Sequence, residues 1–327
     1  MRDFLRSRFA RVWLPVLTAA AGLAALGRGT DTGDLLYFVH RCEQLLSGGW
    51  GDTFADPMLQ SGPLQLVLVG AVPNVTALAF VIAFAVVGLL LFVLGRLGVS
   101  DGVRLAVGLV GLAAGLTQNA FAYGHPAQPI IPLLWVLAGL SARKNRPVQA
   151  GALVGFSAGF ELWGVLGLPV LLLVPRFRRA VAAVAVEAAV VAGLLAPFLI
   201  AGTFRMFEYE WEVSTSSLIG LVVEPGTGFG WPLRLLQAGL AVMGGAAVAL
   251  VLRKSIHGVW LAPLVVLIVR LLLDPQSYGW YWIAPLALVL VGAALVLMEL
   301  PTRFPATRLG RAAGLRHPTA VQPPTRS

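Results

Sequence analysis

Charged residues are scarce in this chain, and their scarcity excludes a soluble globular fold. Of its 327 residues, 12% are charged and 58% are hydrophobic, whereas a soluble domain has about 25% charged residues. So few charges could not cover the surface of a water-soluble protein of this length. The composition therefore predicts a membrane protein with several spans. Its net charge of +9 is first a signal of membrane topology, and we expect no nucleic-acid partner.

The chain is also poor in cysteine and has no nucleotide-binding motif. The single cysteine, Cys42, excludes a disulfide framework and a cysteine-based zinc site. The chain has no glycine-rich phosphate loop, no dinucleotide fingerprint and no paired acids in its basic loops. We therefore expect neither an ATP-driven pump nor an enzyme that uses a cytosolic nucleotide-sugar. We expect no cofactor and name no metal-ligating residues, since no tight acidic triad indicates a divalent metal.

Apolar stretches recur along the chain, and a helix needs about 20 apolar residues to cross a bilayer. Eight full spans are predicted, at 9–26, 75–94, 105–122, 130–140 with its flanks, 180–202, 231–252, 259–273 and 282–298. A further apolar stretch, 149–174, lies between two basic clusters. A cleaved signal peptide within the first 25 residues is the alternative to the first span.

The basic residues predict the orientation of these spans. All but five of the 24 Lys and Arg residues lie in clusters, at 2–11, 96–104, 143–146, 176–179, 253–254 and 303–326. Lys and Arg concentrate on the cytoplasmic side of membrane proteins, so we place every cluster and both termini there. The stretch 149–174 must then enter and return as two short helices, with a break near 159–164 and Glu161 at the turn.

The predicted organisation is one transmembrane domain, 1–300, followed by a basic cytoplasmic tail, 301–327, that we expect to be disordered. The two long outer loops are 27–74 and 203–230. The first of these contains a short helix at 33–46 and an apolar piece at 63–72, which is too short to cross and suits the membrane interface. We expect the protein to lie in the cell membrane.

Acidic residues are distributed in the opposite way, with ten of the 15 on the predicted outer side. Asp31 and Asp34 allow two interpretations. Either Asp31 caps the short helix and Asp34 lies in its first turn, or a carboxylate held just above the membrane accepts a proton from an acceptor hydroxyl.

Other polar residues near the outer rim are also candidates. Arg270 and Asp274 are four residues apart on one helix face, which fits either a mutual ion pair or an arginine that binds a lipid phosphate. His125 lies in a turn between two spans. Glu187 lies within a span, where a carboxylate is costly unless it lies against other helices or a wet cavity. It is therefore a candidate proton or ion relay.

Several short motifs occur in a characteristic order. They are Gly33-Asp34-Leu35-Leu36-Tyr37 in the first outer loop, the turn Gly124-His125-Pro126, the broken stretch that ends in Gly167-Leu168-Pro169, and Leu273-Asp274-Pro275 followed by Tyr278 and Trp280-Tyr281-Trp282. Over about residues 8–297, this order resembles the actinobacterial GT-C membrane glycosyltransferases of the family 87 type. Two positions depart from that family: Gln128 follows the His-Pro turn where acids are common, and Glu161 stands where a Lys is common.

The resemblance implies an all-α transmembrane helix bundle of GT-C type, with about eight full spans plus a broken helical hairpin. It also implies transfer of mannose or a pentose from a polyprenyl-phosphate donor to a lipid-linked or cell-envelope glycan acceptor on the outer face. Asp34 would be the catalytic base, with Asp31 as the second candidate. The substrate-binding residues would be Tyr37, His125, Arg270, Asp274 and Tyr278.

Two functions of other classes stay open. A transporter or flippase of a lipid-linked or small polar substrate would use Glu187 and Glu161 as relays, although no inverted repeat is visible. A GT-C-like accessory protein would have kept the fold and lost the chemistry. A groove beside Asp34, open to lipid and to the outer aqueous phase, favours the transferase, whereas a path to both sides favours the transporter.

Overall fold

The computed structural model describes residues 7–27, 34–72 and 74–303. Helices account for 72% of these residues and strands for 2%, so the predicted all-α class is confirmed. In chain order the helices are α1 (Phe9–Leu26), α2 (Leu35–Leu45), α3 (Pro63–Gly70), α4 (Val75–Arg96), α5 (Asp101–Ala113), α6 (Gln118–Ala122), α7 (Ala127–Arg143), α8 (Pro147–Ala158), α9 (Phe177–Ala201), α10 (Trp231–Val251), α11 (Gly258–Leu272) and α12 (Ile283–Arg303). A long 3₁₀ helix, Leu162–Leu173, follows α8, and short ones lie at Trp50–Asp52, Ile219–Leu221 and Gly279–Trp282.

Five helical segments of the described residues are long and apolar enough to cross a membrane: α1, α4, α9, α10 and Gly279–Leu300. They match five of the eight predicted spans, and the structure does not support the count of eight. The helices α7 and α11 have 17 and 15 residues, about 25 and 22 Å at 1.5 Å per residue, against a hydrocarbon core of about 30 Å. The predicted span 105–122 is interrupted between α5 and α6, where Gly115 has a φ of 82°.

The apolar stretch 149–174 is also interrupted, between α8 and the long 3₁₀ helix. Glu161 has an extended backbone at this point, and the amide of Gly62 donates to the carbonyl oxygen of Phe160 at 2.7 Å. A Cβ atom on Gly62 would lie 2.4 Å from a carbonyl oxygen of the break, so this close contact requires glycine. The helix is thus broken where the sequence predicted it, and the first outer loop covers the break.

Helix α7 lies in the core of the bundle, where the fully buried Trp135 joins it to both halves of the interrupted stretch. The indole Nε1 of Trp135 donates to Oγ of Ser157 at 2.9 Å and to the carbonyl oxygen of Gly164 at 3.0 Å. A Cβ atom on Gly167 would lie 2.3 Å from this nitrogen. The two halves therefore pack against α7 as one unit.

Contacts between the basic clusters place them together. Asp101 forms ion pairs with Arg8, Arg11 and Arg104. The backbone amide of Ser100, which precedes Asp101, donates to Sδ of Met298 at 3.5 Å. The start of α1, the start of α5 and the last turns of α12 therefore meet at one end of the bundle, which we call the basic end.

The interrupted stretch has both of its ends at the basic end. Arg143 Nη1 donates to the carbonyl oxygens of Arg253 at 2.9 Å and Ser255 at 2.7 Å, and Arg253 in turn donates to the carbonyl oxygen of Val174. Nearby, Nε2 of His257 lies 2.9 Å from Oε1 of Glu299, which joins this group to α12. The chain thus leaves the basic end along α8 and returns to it along the 3₁₀ helix.

The second outer loop carries a small antiparallel sheet of β1 (Trp211–Glu212) and β2 (Gly228–Phe229), with Trp211 opposite Phe229. This loop packs on the segment after α11, because the amide of Ser214 donates to the carbonyl oxygen of Pro275 at 2.8 Å. Asp31 and all but the first three residues of the predicted tail lie outside the described residues.

Candidate functional site

Asp34 stands at the start of α2 but does not cap it. Its backbone is helical and its side chain forms no capping hydrogen bond. The carboxylate is 55% exposed, and its Oδ2 lies 3.2 Å from Nε2 of His125. Gly124, with a φ of 77°, makes this approach possible, because a Cβ atom there would lie 2.6 Å from the amide nitrogen of Leu35. The side chain of Asp34 therefore has no capping role, and its carboxylate contacts His125.

His125 lies between two carboxylates. Besides Asp34, its Nδ1 is 3.7 Å from Oε1 of Glu161, and its side chain is 13% exposed. Burial by itself would lower the pKa of His125, but the neighbouring Asp34 and Glu161 outweigh this effect and raise the pKa to about 9. The two neighbouring carboxylates therefore favour the imidazolium form of His125.

Glu161 is held in place from a third side. Nε2 of Gln128 donates to its Oε2 at 3.2 Å, and Nε1 of Trp163 donates to the same oxygen. Glu161 is thus the inner partner of the histidine. Sequence reasoning treated Glu161 as a relay or a departure and did not connect it with His125. The sequence carries no signal for this contact, because Glu161 lies 36 residues after His125 and only packing brings them together.

Aromatic rings pack around the histidine. The ring of Trp280 is nearly parallel to that of His125, with centroids 5.5 Å apart, and it stacks on Tyr278 at 4.4 Å and on Tyr123 at 5.0 Å. An imidazolium within about 6 Å of an indole face gains a cation–π attraction. Tyr278, a predicted binding residue, therefore connects to His125 through Trp280, which sequence reasoning had noted only as part of a motif.

Arg270 lies on the far side of Trp163. Its guanidinium is 4.9 Å from the ring centroid of Trp163 and 5.5 Å from that of Tyr281, and its Nη2 is 3.7 Å from Oδ2 of Asp274. The expected ion pair is therefore present. Nη1 of Arg270 is buried and has no hydrogen-bond partner within the described chain, so this arginine keeps a donor for a further acceptor.

Asp274 is buried beside this arginine. Burial raises the pKa of Asp274 above its ordinary value, although Arg270 and the backbone amide of Gln276 oppose the shift. A buried carboxylate that pairs with Arg270 limits how freely this arginine can move. Asp274 therefore positions the arginine.

Tyr37 lies outside this arrangement. Its hydroxyl donates to Oδ2 of Asp56 at 2.9 Å, and Arg41 pairs with the same carboxylate. Burial and the hydrogen bond to Asp56 raise the pKa of Tyr37 to about 12. The neighbouring ring of Phe38 packs edge-on against His125 at 5.7 Å, so Tyr37 stabilises the first outer loop and Phe38 reaches the site.

We call Asp34, His125, Glu161, Trp280 and Arg270 the outer cluster. No group of three or more His, Cys, Asp and Glu side chains that could hold a metal ion occurs among residues 7–27, 34–72 and 74–303. A scan against protein-family models matches no family, and searches of the curated proteins and of the solved structures return no match.

Proposed function

We propose that this protein is a membrane glycosyltransferase of GT-C type. It transfers mannose or a pentose from a polyprenyl-phosphate donor to a lipid-linked or cell-envelope glycan on the non-cytoplasmic face. The observation that carries the proposal is the carboxylate of Asp34, which is exposed, is not used to cap α2 and is held by the buried His125. An exposed, oriented carboxylate is what general-base catalysis on a hydroxyl requires.

The reaction is a displacement at the anomeric carbon of the donor sugar. The acceptor hydroxyl oxygen forms a bond to this carbon while the bond from the carbon to the phosphate oxygen breaks. The electron pair leaves with the polyprenyl phosphate, and the hydroxyl proton passes to Asp34 and then to water. The contact with His125 holds this carboxylate in place, and proton transfer is favoured late, when the attacking oxygen has become acidic.

Arg270 is the proposed ligand of the donor phosphate. Its buried Nη1 lacks a hydrogen-bond partner in the described residues, and its position between Trp163 and Tyr281 fixes the plane of the guanidinium. A fixed guanidinium suits the oxygens of a phosphate. The rings of Tyr278 and Trp280, which stack 4.4 Å apart, supply apolar surface for the sugar.

The proposed topology places the basic end in the cytoplasm, because Lys and Arg concentrate on that side. The outer cluster, at the other end of α7, then lies on the non-cytoplasmic side, and both termini are cytoplasmic. The short helices α7 and α11 cross as parts of the bundle, and the interrupted stretch 149–174 enters and returns. With α5 and α6 crossing together as the interrupted span 105–122, this arrangement retains about eight full spans plus a broken hairpin.

The deciding experiment measures transfer of labelled sugar from a polyprenyl-phosphate donor into membrane lipid by the purified full-length protein. Transfer by the parent and its loss in Asp34→Asn support the proposal. Equal rates for the two would remove Asp34 from the mechanism. A parent that is inactive with mannosyl and with pentosyl donors favours the accessory protein that lacks the chemistry.

A transporter is the second candidate, and one observation favours it. Glu187 in α9 is 4% exposed, and its Oε2 has no hydrogen-bond partner in the described part of the chain. A buried, unpaired carboxylate within a span is a common feature of proton-coupled transport. Transport would require a path past Glu187 to both sides of the membrane.

A further inference from the structure

A cleft of about 160 Å³ opens at the basic end between α4, α7 and α8. The side chains of its apolar walls are Phe92, Leu137, Leu140 and Leu153. Three cationic side chains stand on its rim, namely Arg96 at the end of α4 and Lys144 and Arg146 in the turn between α7 and α8, and all three are exposed. The cleft therefore combines an apolar interior with a positively charged rim.

The rim charges are not neutralised within the described chain. The two acidic residues that the structure describes at the basic end are already engaged, Asp101 with three arginines and Glu299 with His257. The contact of Arg96 is with the ring of Phe92, 5.8 Å from its guanidinium carbon. No carboxylate among the described residues pairs with Arg96, Lys144 or Arg146, so an anion at the mouth would meet uncompensated positive charge.

The turn that carries two of these cations is rigid. The amide of Arg146 donates to the carbonyl oxygen of Ser141 and the amide of Asn145 to that of Ala142, both at 2.9 Å, while Asn145 has a φ of 57°. This is the hydrogen-bond pattern that closes a helix with a left-handed residue. Lys144 and Arg146 therefore project from fixed backbone positions, and a ligand does not have to order the loop when it binds.

We propose that this cleft binds an anionic phospholipid of the surrounding membrane, with its phosphate at the rim and part of an acyl chain along the apolar wall. Basic pockets between membrane helices recognise anionic headgroups in this way. A free phosphate would make no use of the apolar wall, and the cationic group of a zwitterionic lipid would be repelled by the rim. The site lies at the opposite end of α7 from the outer cluster and does not depend on the proposed transferase activity.

The test measures binding of fluorescent phosphatidylglycerol and phosphatidylcholine to the purified full-length protein in detergent. The parent should bind phosphatidylglycerol at least tenfold more tightly than phosphatidylcholine. Each cation near an anionic lipid contributes about fivefold, so the triple variant Arg96→Gln, Lys144→Gln, Arg146→Gln should lose about a hundredfold. The matched control, Arg176→Gln, Arg178→Gln, Arg179→Gln, removes three exposed cations from the same end and should change binding less than twofold.

Two further measurements separate a lipid site from a patch of surface charge. Leu153→Phe narrows the cleft and leaves the rim intact, and it should weaken phosphatidylglycerol binding severalfold. Glycerol phosphate, which lacks acyl chains, should compete only weakly. Equal binding by parent and rim variant, an equal loss in the control, or full competition by glycerol phosphate would each overturn the proposal.

Discussion

The carboxylate of Asp34 and the imidazole of His125 lie 3.2 Å apart, although 91 positions separate them in the chain. The same imidazole lies 3.7 Å from Glu161, so three distant segments meet at one ring. One member of this trio is exposed and two are buried, with side-chain exposures of 55%, 13% and 11% for Asp34, His125 and Glu161. The exposed carboxylate can meet a substrate, and the buried pair can hold it in place.

Asp34→Asn tests whether this carboxylate is a base. Asparagine keeps the size of the side chain and begins helices about as well as aspartate, but it cannot accept a proton. We expect sugar transfer to fall by about 10² to 10⁴, the usual contribution of a positioned acid or base, with unchanged membrane insertion. Asp52→Asn, in the same outer loop, is the control and should keep the parent rate. A large loss in Asp31→Asn alone would assign the role to that residue instead.

The protonation of His125 predicts a transition at alkaline pH. Its pKa of about 9 in the folded protein lies above the value of about 6.5 in an unfolded chain. The stabilisation by the charged form is therefore fully present below about pH 6.5 and is lost as the pH rises through about 9. We expect the Tm of the parent to fall in this window, and His125→Gln to lack the transition. The control variant His40→Gln, which replaces an exposed histidine, should keep the same transition in Tm.

Glu161→Gln tests whether the inner carboxylate positions the histidine. Removing a negative charge beside an imidazolium destabilises the charged form, so the pKa of His125 should fall by about one unit or more. The alkaline transition in Tm and in transfer rate should move to lower pH by the same amount. Glu208→Gln, in an exposed pair with Arg205, is the matched control. An unshifted transition in Glu161→Gln would show that this residue only fills space.

The orientation of the basic end is tested with single cysteines at Lys144 and Arg178, on either side of the interrupted stretch. Both residues are exposed, so protection from an impermeant thiol reagent in intact cells would report the membrane side rather than burial. We expect both cysteines to be protected and a cysteine at Thr215, in the second outer loop, to be labelled. Labelling at only one of the first two positions would indicate a single crossing.

Glu187→Gln distinguishes the transferase from the transporter. The substitution keeps the shape of the side chain and removes its ability to carry a proton. We expect transfer activity within about twofold of the parent, because the residue belongs to the packing of α9. A loss of pH-dependent substrate movement across vesicles in this variant would favour transport.

Hydropathy predicted the helical membrane class and the break in the stretch 149–174, since both depend on local composition and on the side preferred by basic residues. Five of the eight predicted spans are long and apolar enough to cross among the described residues, because an apolar stretch says nothing about where its helix ends. The interruption before Gln118 and the short length of α7 depend on Gly115 and on the fit of neighbouring helices. The pairing of His125 with Glu161 was not predictable, because it arises from packing between segments 36 residues apart.

Gly124 shows how narrowly the outer cluster is assembled. Because glycine has no side chain, the turn that carries His125 can pack against Leu35, the first residue of α2. An added Cβ would lie 2.6 Å from the backbone nitrogen of Leu35. A single methyl group at position 124 would separate the carboxylate of Asp34 from the imidazole of His125 without altering either group. The chemistry proposed for Asp34 therefore depends on the contact between two parts of the chain, and a defect in that contact would abolish the proposed activity while every reacting group stays intact.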